Sequence, residues 1–113
     1  MDDAIISKPG DHKAAVAPEM AAQSAEAAAF LKALAHEGRL MILCHLNGGE
    51  RSVGELEKLL SQRQAAVSQQ LARLRAEGLV KHRRDGKTIY YSLADENVNR
   101  TIALLYDMFC ATR

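Results

Sequence analysis

The chain has 113 residues, a formal net charge of +1, 48% hydrophobic residues and only 4% aromatic ones, with no Trp. This suits one small domain whose core is filled by Ala, Leu and Val, and a domain of that size gains stability by pairing with a second copy. No apolar run approaches the ~20 residues of a membrane span, and MDDAIISKPGDHK lacks the basic start and apolar core of a signal peptide. The expectation is a cytoplasmic protein with no membrane partner, whose two cysteines are free thiols, redox-active thiols or ligands rather than a permanent disulfide.

Residues 1–17, which include Pro9 and Gly10, are expected to form a flexible tail, leaving 18–113 as the folded domain. An Ala-rich run from Met20 to Ala35, ending in Phe30, Leu31 and Leu34, predicts a first helix. A second helix covers Glu37 to Leu46, with Leu40, Leu43 and Cys44 on its apolar side, and Asn47-Gly48-Gly49 stops it. Ser52 and Glu55 have capping-box spacing, which predicts a short helix from Val53 to Leu60 burying Leu56, Leu59 and Leu60. After a turn at Ser61 to Arg63, Val67, Leu71 and Leu74 recur at i, i+4 and i+7, the period of a helix that runs to Glu77 and is capped by Gly78. That period leaves Gln64, Ser68, Gln69 and Arg73 on the open face.

Leu79 to Arg84 and Thr88 to Leu93 are strand-like, and Asp85-Gly86 between them is a hairpin signal because both residues tolerate positive φ. A last helix runs to Ala111, with Asp95 as its N-cap. Its stripe of Val98, Ile102, Leu105 and Phe109 is widened by Leu104 and Met108 beyond what one small domain needs, which predicts a dimer face.

Charge is unevenly spread. Residues 1–61 carry a net −3, residues 62–91 a net +5 and residues 92–113 a net −1. A positive field confined to one segment is the footprint of a phosphate-binding surface, and the bland alternative is a solvated basic face.

The order helix, helix, short helix, helix, two-stranded wing, helix is that of a winged helix-turn-helix, a mainly α fold of five helices plus a two-stranded β wing. HEGRLMILCHL, AAVSQQLARLRAEGLV and RRDGKTIYYSL together resemble the second helix, recognition helix and wing of the ArsR family of bacterial repressors, over about residues 26–110. The resemblance implies a homodimer joined through the first and last helices. It would sit on a near-palindromic double-stranded DNA operator, with recognition helices roughly 34–36 Å apart. Gln64, Ser68 and Gln69 match the family's base-reading positions, where an amide pairs bidentately with adenine in the major groove. Arg73, Lys81, Arg83, Arg84 and Lys87 are then candidates for phosphate or minor-groove contact. Gln70 departs from the His often found there in the family, which weakens the case for a contact at that position.

Many members of the family sense metals through cysteines on the third helix or histidines on the last. Here the third helix reads SVGELEKLL and the last DENVNRTIALLYDMFC, and His12, His36, His45 and His82 are scattered, so no metal site is expected. Cys44 and Cys110 remain. As residues alone they suit inert small hydrophobes equally well. Their placement, one within the second helix and one near the end of the last, resembles the SqrR- and BigR-like dithiol subgroup. That resemblance implies that reactive sulfur species, persulfide or polysulfide, join them by a disulfide or a longer sulfur bridge. Operator DNA is then released, and genes for sulfide oxidation or sulfur detoxification are derepressed. A plain disulfide needs Cα atoms within about 7 Å, so cysteines on separate packed helices favour a bridge with added sulfur.

Other readings stay open: a repressor that answers to haem, to a thiophilic metal or metalloid, or to general oxidants, and a winged-helix module that binds protein rather than DNA. No resident cofactor is expected otherwise. An enzyme is disfavoured, since there is no Ser/His/Asp set in convincing context and no glycine-rich phosphate loop.

Overall fold

The computed structural model describes residues 17–110. The elements run α1 (Pro18–Leu34), α2 (Glu37–Asn47), β1 (Arg51–Ser52), α3 (Val53–Leu60), α4 (Gln64–Ala76), β2 (Val80–Asp85), β3 (Thr88–Leu93) and α5 (Glu96–Phe109). The five expected helices are present, with ends that differ by a residue or two. The tail expected over residues 1–17 lies, apart from Ala17, outside the described residues, as does Ala111, to which the last helix was expected to run.

Local chemistry sets the helix ends. Pro18 opens α1, where its missing N–H costs nothing and its fixed φ suits the first turn. The His36 Nδ1 accepts from the Arg39 amide at 3.3 Å to start α2. Arg39 also donates its Nε to the Ala33 carbonyl at 2.9 Å, satisfying a free acceptor at the end of α1. The capping box of α3 forms as its spacing predicts: the Ser52 hydroxyl accepts from the Glu55 amide at 3.1 Å, and Glu55 Oε1 accepts from the Ser52 amide at 2.8 Å. α4 ends in a Schellman motif, with Leu79 N–H bonded to the Leu74 carbonyl at 2.9 Å and Gly78 N–H to the Arg75 carbonyl at 3.0 Å. Gly78 sits at φ 79°, where a side chain would be strained. Asp95 caps α5 by accepting from the Val98 amide at 3.0 Å.

The core is apolar throughout and draws on every helix. Ala33 and Leu34 of α1, Ile42, Leu43 and Leu46 of α2, and Leu56 of α3 meet Val67, Leu71 and Leu74 of α4, with Val98 and Ile102 of α5 and Leu79, Val80 and Leu93 of the wing. Burying each such side chain contributes about 1.5–3 kcal/mol before the entropy of ordering is counted. Two details of the expected core differ. Leu59 is 47% exposed, because α3 is only two turns long and its Leu56 and Leu60 already face inward. On α2 the inward residues are Ile42, Leu43 and Leu46, while Leu40 is half-buried and Cys44 is exposed.

The wing is larger than expected. In place of two strands there is a three-stranded antiparallel sheet in the order β1-β3-β2, because Arg51 and Ser52 pair with Tyr91 and Tyr90 on the far side of β3. The hairpin loop is also displaced by one residue. Asp85 still pairs with Thr88, so Gly86 and Lys87 make the two-residue turn, and of these only Gly86 has positive φ, at 65°. Positive φ at the first central position fits the II′ class, whose twist matches that of the flanking strands.

Candidate nucleic-acid interface and dithiol

The three buried residues Val67, Leu71 and Leu74 fix the rotation of α4 about its axis, and this leaves Gln64, Ser68, Gln69 and Arg73 in solvent as the period predicts. The face offers two amides and a hydroxyl, with a cation one turn further along. Arg73 is steadied by Glu77, its Nε lying 3.5 Å from Oε2 at the i, i+4 spacing. Gln70 is not on this face. It is half-buried beneath α2, close enough to Gly38 that a Cβ there would lie 2.8 Å from the Gln70 Nε2, and its buried Oε1 has no hydrogen-bond partner among the described residues.

The wing places its cations on two faces. Strand side chains alternate, so His82 and Arg84 lie on the face of buried Val80, while Lys81 and Arg83 lie on the other. His82 stacks on Tyr91, its register partner, with ring centroids 5.7 Å apart. Arg83 is engaged twice: its Nε donates to Glu50 Oε2 at 3.0 Å and its Nη2 to Oε1, and its guanidinium sits 4.8 Å over the Tyr90 ring. The hydrogen bonds from Arg83 hold the Glu50 carboxyl below its ordinary value. Lys81, Arg84 and Lys87 are exposed and have no ion pair among the described residues. Adjacency in sequence therefore made Arg83 and Arg84 look equivalent, whereas one is tied to a carboxylate and the other is open.

The two cysteines are both exposed and unbridged. Cys44 lies in the third turn of α2, and Cys110 is the residue on which α5 ends, its amide donating to the Tyr106 carbonyl at 2.8 Å. α2 packs against α5, and Asn47 of α2 donates its side-chain amide to the Asn99 carbonyl at 3.3 Å. Partial burial, and then the negative charge of Cys110, push the Cys44 thiol up from its ordinary value. Cys44 is thus less ionised at neutral pH than an unperturbed thiol. Among the described residues no group of three or more His, Cys, Asp or Glu side chains gathers in a metal-binding arrangement, and no helix is long and apolar enough to cross a membrane.

An exposed amide-bearing helix followed by a cationic wing is a nucleic-acid-binding arrangement, and the comparison with known proteins decides which. The model of the bacterial regulatory proteins of the arsR family matches residues 36–82, from the N-cap of α2 into the wing. Over 106 residues the chain is 47% identical to the biofilm growth-associated repressor of Agrobacterium fabrum, spanning 94% of this chain and 91% of that one. The chain belongs to the ArsR family. As a member of that family it is a DNA-binding transcription regulator rather than an enzyme.

Other relatives agree with the fold. The transcriptional activator HlyU of Vibrio cholerae is 47% identical over 92 residues, spanning 81% of this chain and 85% of that one. The structure of its reduced form superposes with a TM-score of 0.77, at 47% identity over 81% of this chain and 97% of that one. The homodimeric winged helix-turn-helix domain of Mb0332 from Mycobacterium bovis superposes with a TM-score of 0.71, at 36% identity over 84% of this chain and 88% of that one.

Proposed function

We propose that the protein is a homodimeric, operator-binding repressor switched by reactive sulfur species at Cys44 and Cys110. The observation that carries the reading is the pair of exposed thiols, one on α2 and one at the end of α5, two helices that pack against each other. The placement of one thiol at the end of α5 supports a switch. An open groove of about 880 Å³ between α1 and α5, with Phe30, Leu31 and Leu104 along it, is the surface that a second copy would cover. Leu104 is 57% exposed and Phe109 66% exposed, and a homodimeric relative shares the fold.

In the dimer, Gln64, Ser68 and Gln69 would read base edges, while Arg73, Lys81, Arg84 and Lys87, with Arg83 once released from Glu50, would meet phosphates. The chemistry balances without a further oxidant. Each cysteine thiolate attacks the outer sulfur of a persulfide, expelling a thiolate and becoming Cys–SSH. The terminal sulfur of one then attacks the Sγ of the other, and hydrosulfide leaves. The product bridge holds one added sulfur, the protein thiols are oxidised and the persulfides are reduced. Bridging α2 to α5 near the dimer surface would change the angle between the two recognition helices. A hundredfold loss of operator affinity needs only about 2.7 kcal/mol of such coupling.

The test is anaerobic intact mass spectrometry with peptide mapping of the reduced protein after an organic persulfide is added. A gain of whole sulfur atoms in a Cys44 to Cys110 link is the expected result. Separately capped or unmodified cysteines would leave an ArsR-family regulator with another inducer.

A further inference from the structure

Glu50 follows the two glycines that end α2, and Arg83 lies 33 residues later on β2. Their side chains meet through two hydrogen bonds. One edge of the guanidinium is filled by the carboxylate and one face by the Tyr90 ring at 4.8 Å. A guanidinium has five N–H donors in a fixed fork, and this contact takes two of them, including Nε. Both side chains are solvent-exposed, so the pair does little for stability. Its effect lies in the field of the wing: three cations, Lys81, Arg84 and Lys87, stand without an ion pair among the described residues, and the fourth is neutralised in place.

We propose that Glu50 is an affinity-setting residue for DNA binding, holding Arg83 back from phosphate and so weakening sequence-independent attraction to the duplex. The inference rests on the reading that the wing faces DNA. Phosphate contacts carry affinity without sequence information, whereas base contacts on α4 carry the choice of site. Withholding one wing cation lowers affinity for any duplex and leaves the base contacts untouched, so Glu50 sets the strength and salt dependence of binding and not the choice of site. A phosphate that recruits Arg83 must displace a carboxylate that is already paired, and must do so beside its residual negative charge.

The experiment is a salt titration of full-length protein on a mixed-sequence duplex, followed by fluorescence anisotropy, with circular dichroism to confirm that each variant is folded. Glu50→Gln removes the charge but keeps the shape. It is expected to bind the duplex roughly five- to tenfold tighter at about 0.1 M salt, with a salt slope steeper by about one per wing. The same substitution in an Arg83→Ala background should change affinity much less. Arg84→Ala is the control for the wing itself. If Arg84→Ala flattens the slope and Glu50→Gln does not steepen it, the role of Glu50 is overturned and the wing contact stands. If neither moves the slope, both fall. Weaker binding by Glu50→Gln would mean that Glu50 aligns Arg83 for DNA, the opposite of the proposal.

Discussion

Asn47 on α2 donates its side-chain amide to both oxygens that Asn99 offers on α5, the backbone carbonyl at 3.3 Å and the side-chain carbonyl at 3.4 Å. The helices that carry the cysteines are therefore stitched near the start of α5. Cys110 lies eleven residues further along, about 16 Å at the helical rise. A tie at one end and a thiol at the other makes α5 a lever about the Asn47 contact. Asn47→Ala should lower stability by about 1 kcal/mol, read by urea unfolding of the reduced protein. It should also shrink the difference in operator affinity between reduced and bridged protein, since the fulcrum is lost. An unchanged difference would place the transmission elsewhere.

The Cys44 thiol is raised first by partial burial and second by the charge of Cys110. Cys110→Ser removes the second cause and leaves the first. The Cys44 thiolate should then form at lower pH than in the unaltered protein, yet still above the ordinary thiol value. Alkylation of Cys44 by iodoacetamide, followed across pH by peptide mass spectrometry, measures this directly. Identical midpoints in the two proteins would show that the thiols do not sense one another.

Gln70 sits beside the α4 face proposed to read bases without belonging to it, its amide packed against Gly38 and its buried Oε1 without a partner among the described residues. Replacing an unsatisfied buried acceptor with an apolar group of similar size relieves a desolvation cost of about 1–3 kcal/mol. Gln70→Leu should leave stability unchanged or raise it, and should leave DNA affinity as it was. A loss of operator binding on substitution would add Gln70 to the candidate contacts.

Gln69 and Arg84 separate the two kinds of recognition. Gln69→Ala should cost about 1–3 kcal/mol of discrimination between the operator and a mutated site, with little change on unrelated duplex. Arg84→Ala should weaken both alike and reduce the salt slope by about one per wing. Competition anisotropy across operator, mutated and unrelated duplexes reads both. If each substitution lowered all three affinities equally, α4 would not be the reading element.

Much of this fold was legible because its signals are local. The Ser52 and Glu55 box, the Asp95 cap, the Gly78 Schellman stop and the Val67, Leu71, Leu74 period each depend on residues a few positions apart. What escaped depends on distance or brevity. β1 is two residues long, too short for any alternation, and exists only because β3 offers it an edge. Asp85 looked like a turn residue by composition, but the register carries it into β2 and leaves Gly86 to take the positive φ. The tie between Glu50 and Arg83 spans 33 positions and leaves no periodic trace. Cys44 was grouped with the apolar face of α2, yet the core there is filled by Ile42, Leu43 and Leu46.

The third strand has a consequence for the solution behaviour of the wing. With β1 on one side of β3, the long free rim of the sheet is β2, whose backbone groups could template another strand. That rim carries the open cations Lys81 and Arg84, with Lys87 in the adjoining turn, and clustered cations of this kind repel a second copy of themselves. The side chains proposed to meet phosphate thus also guard the protein against stacking rim to rim, so variants that discharge the wing would trade DNA affinity for a tendency to aggregate.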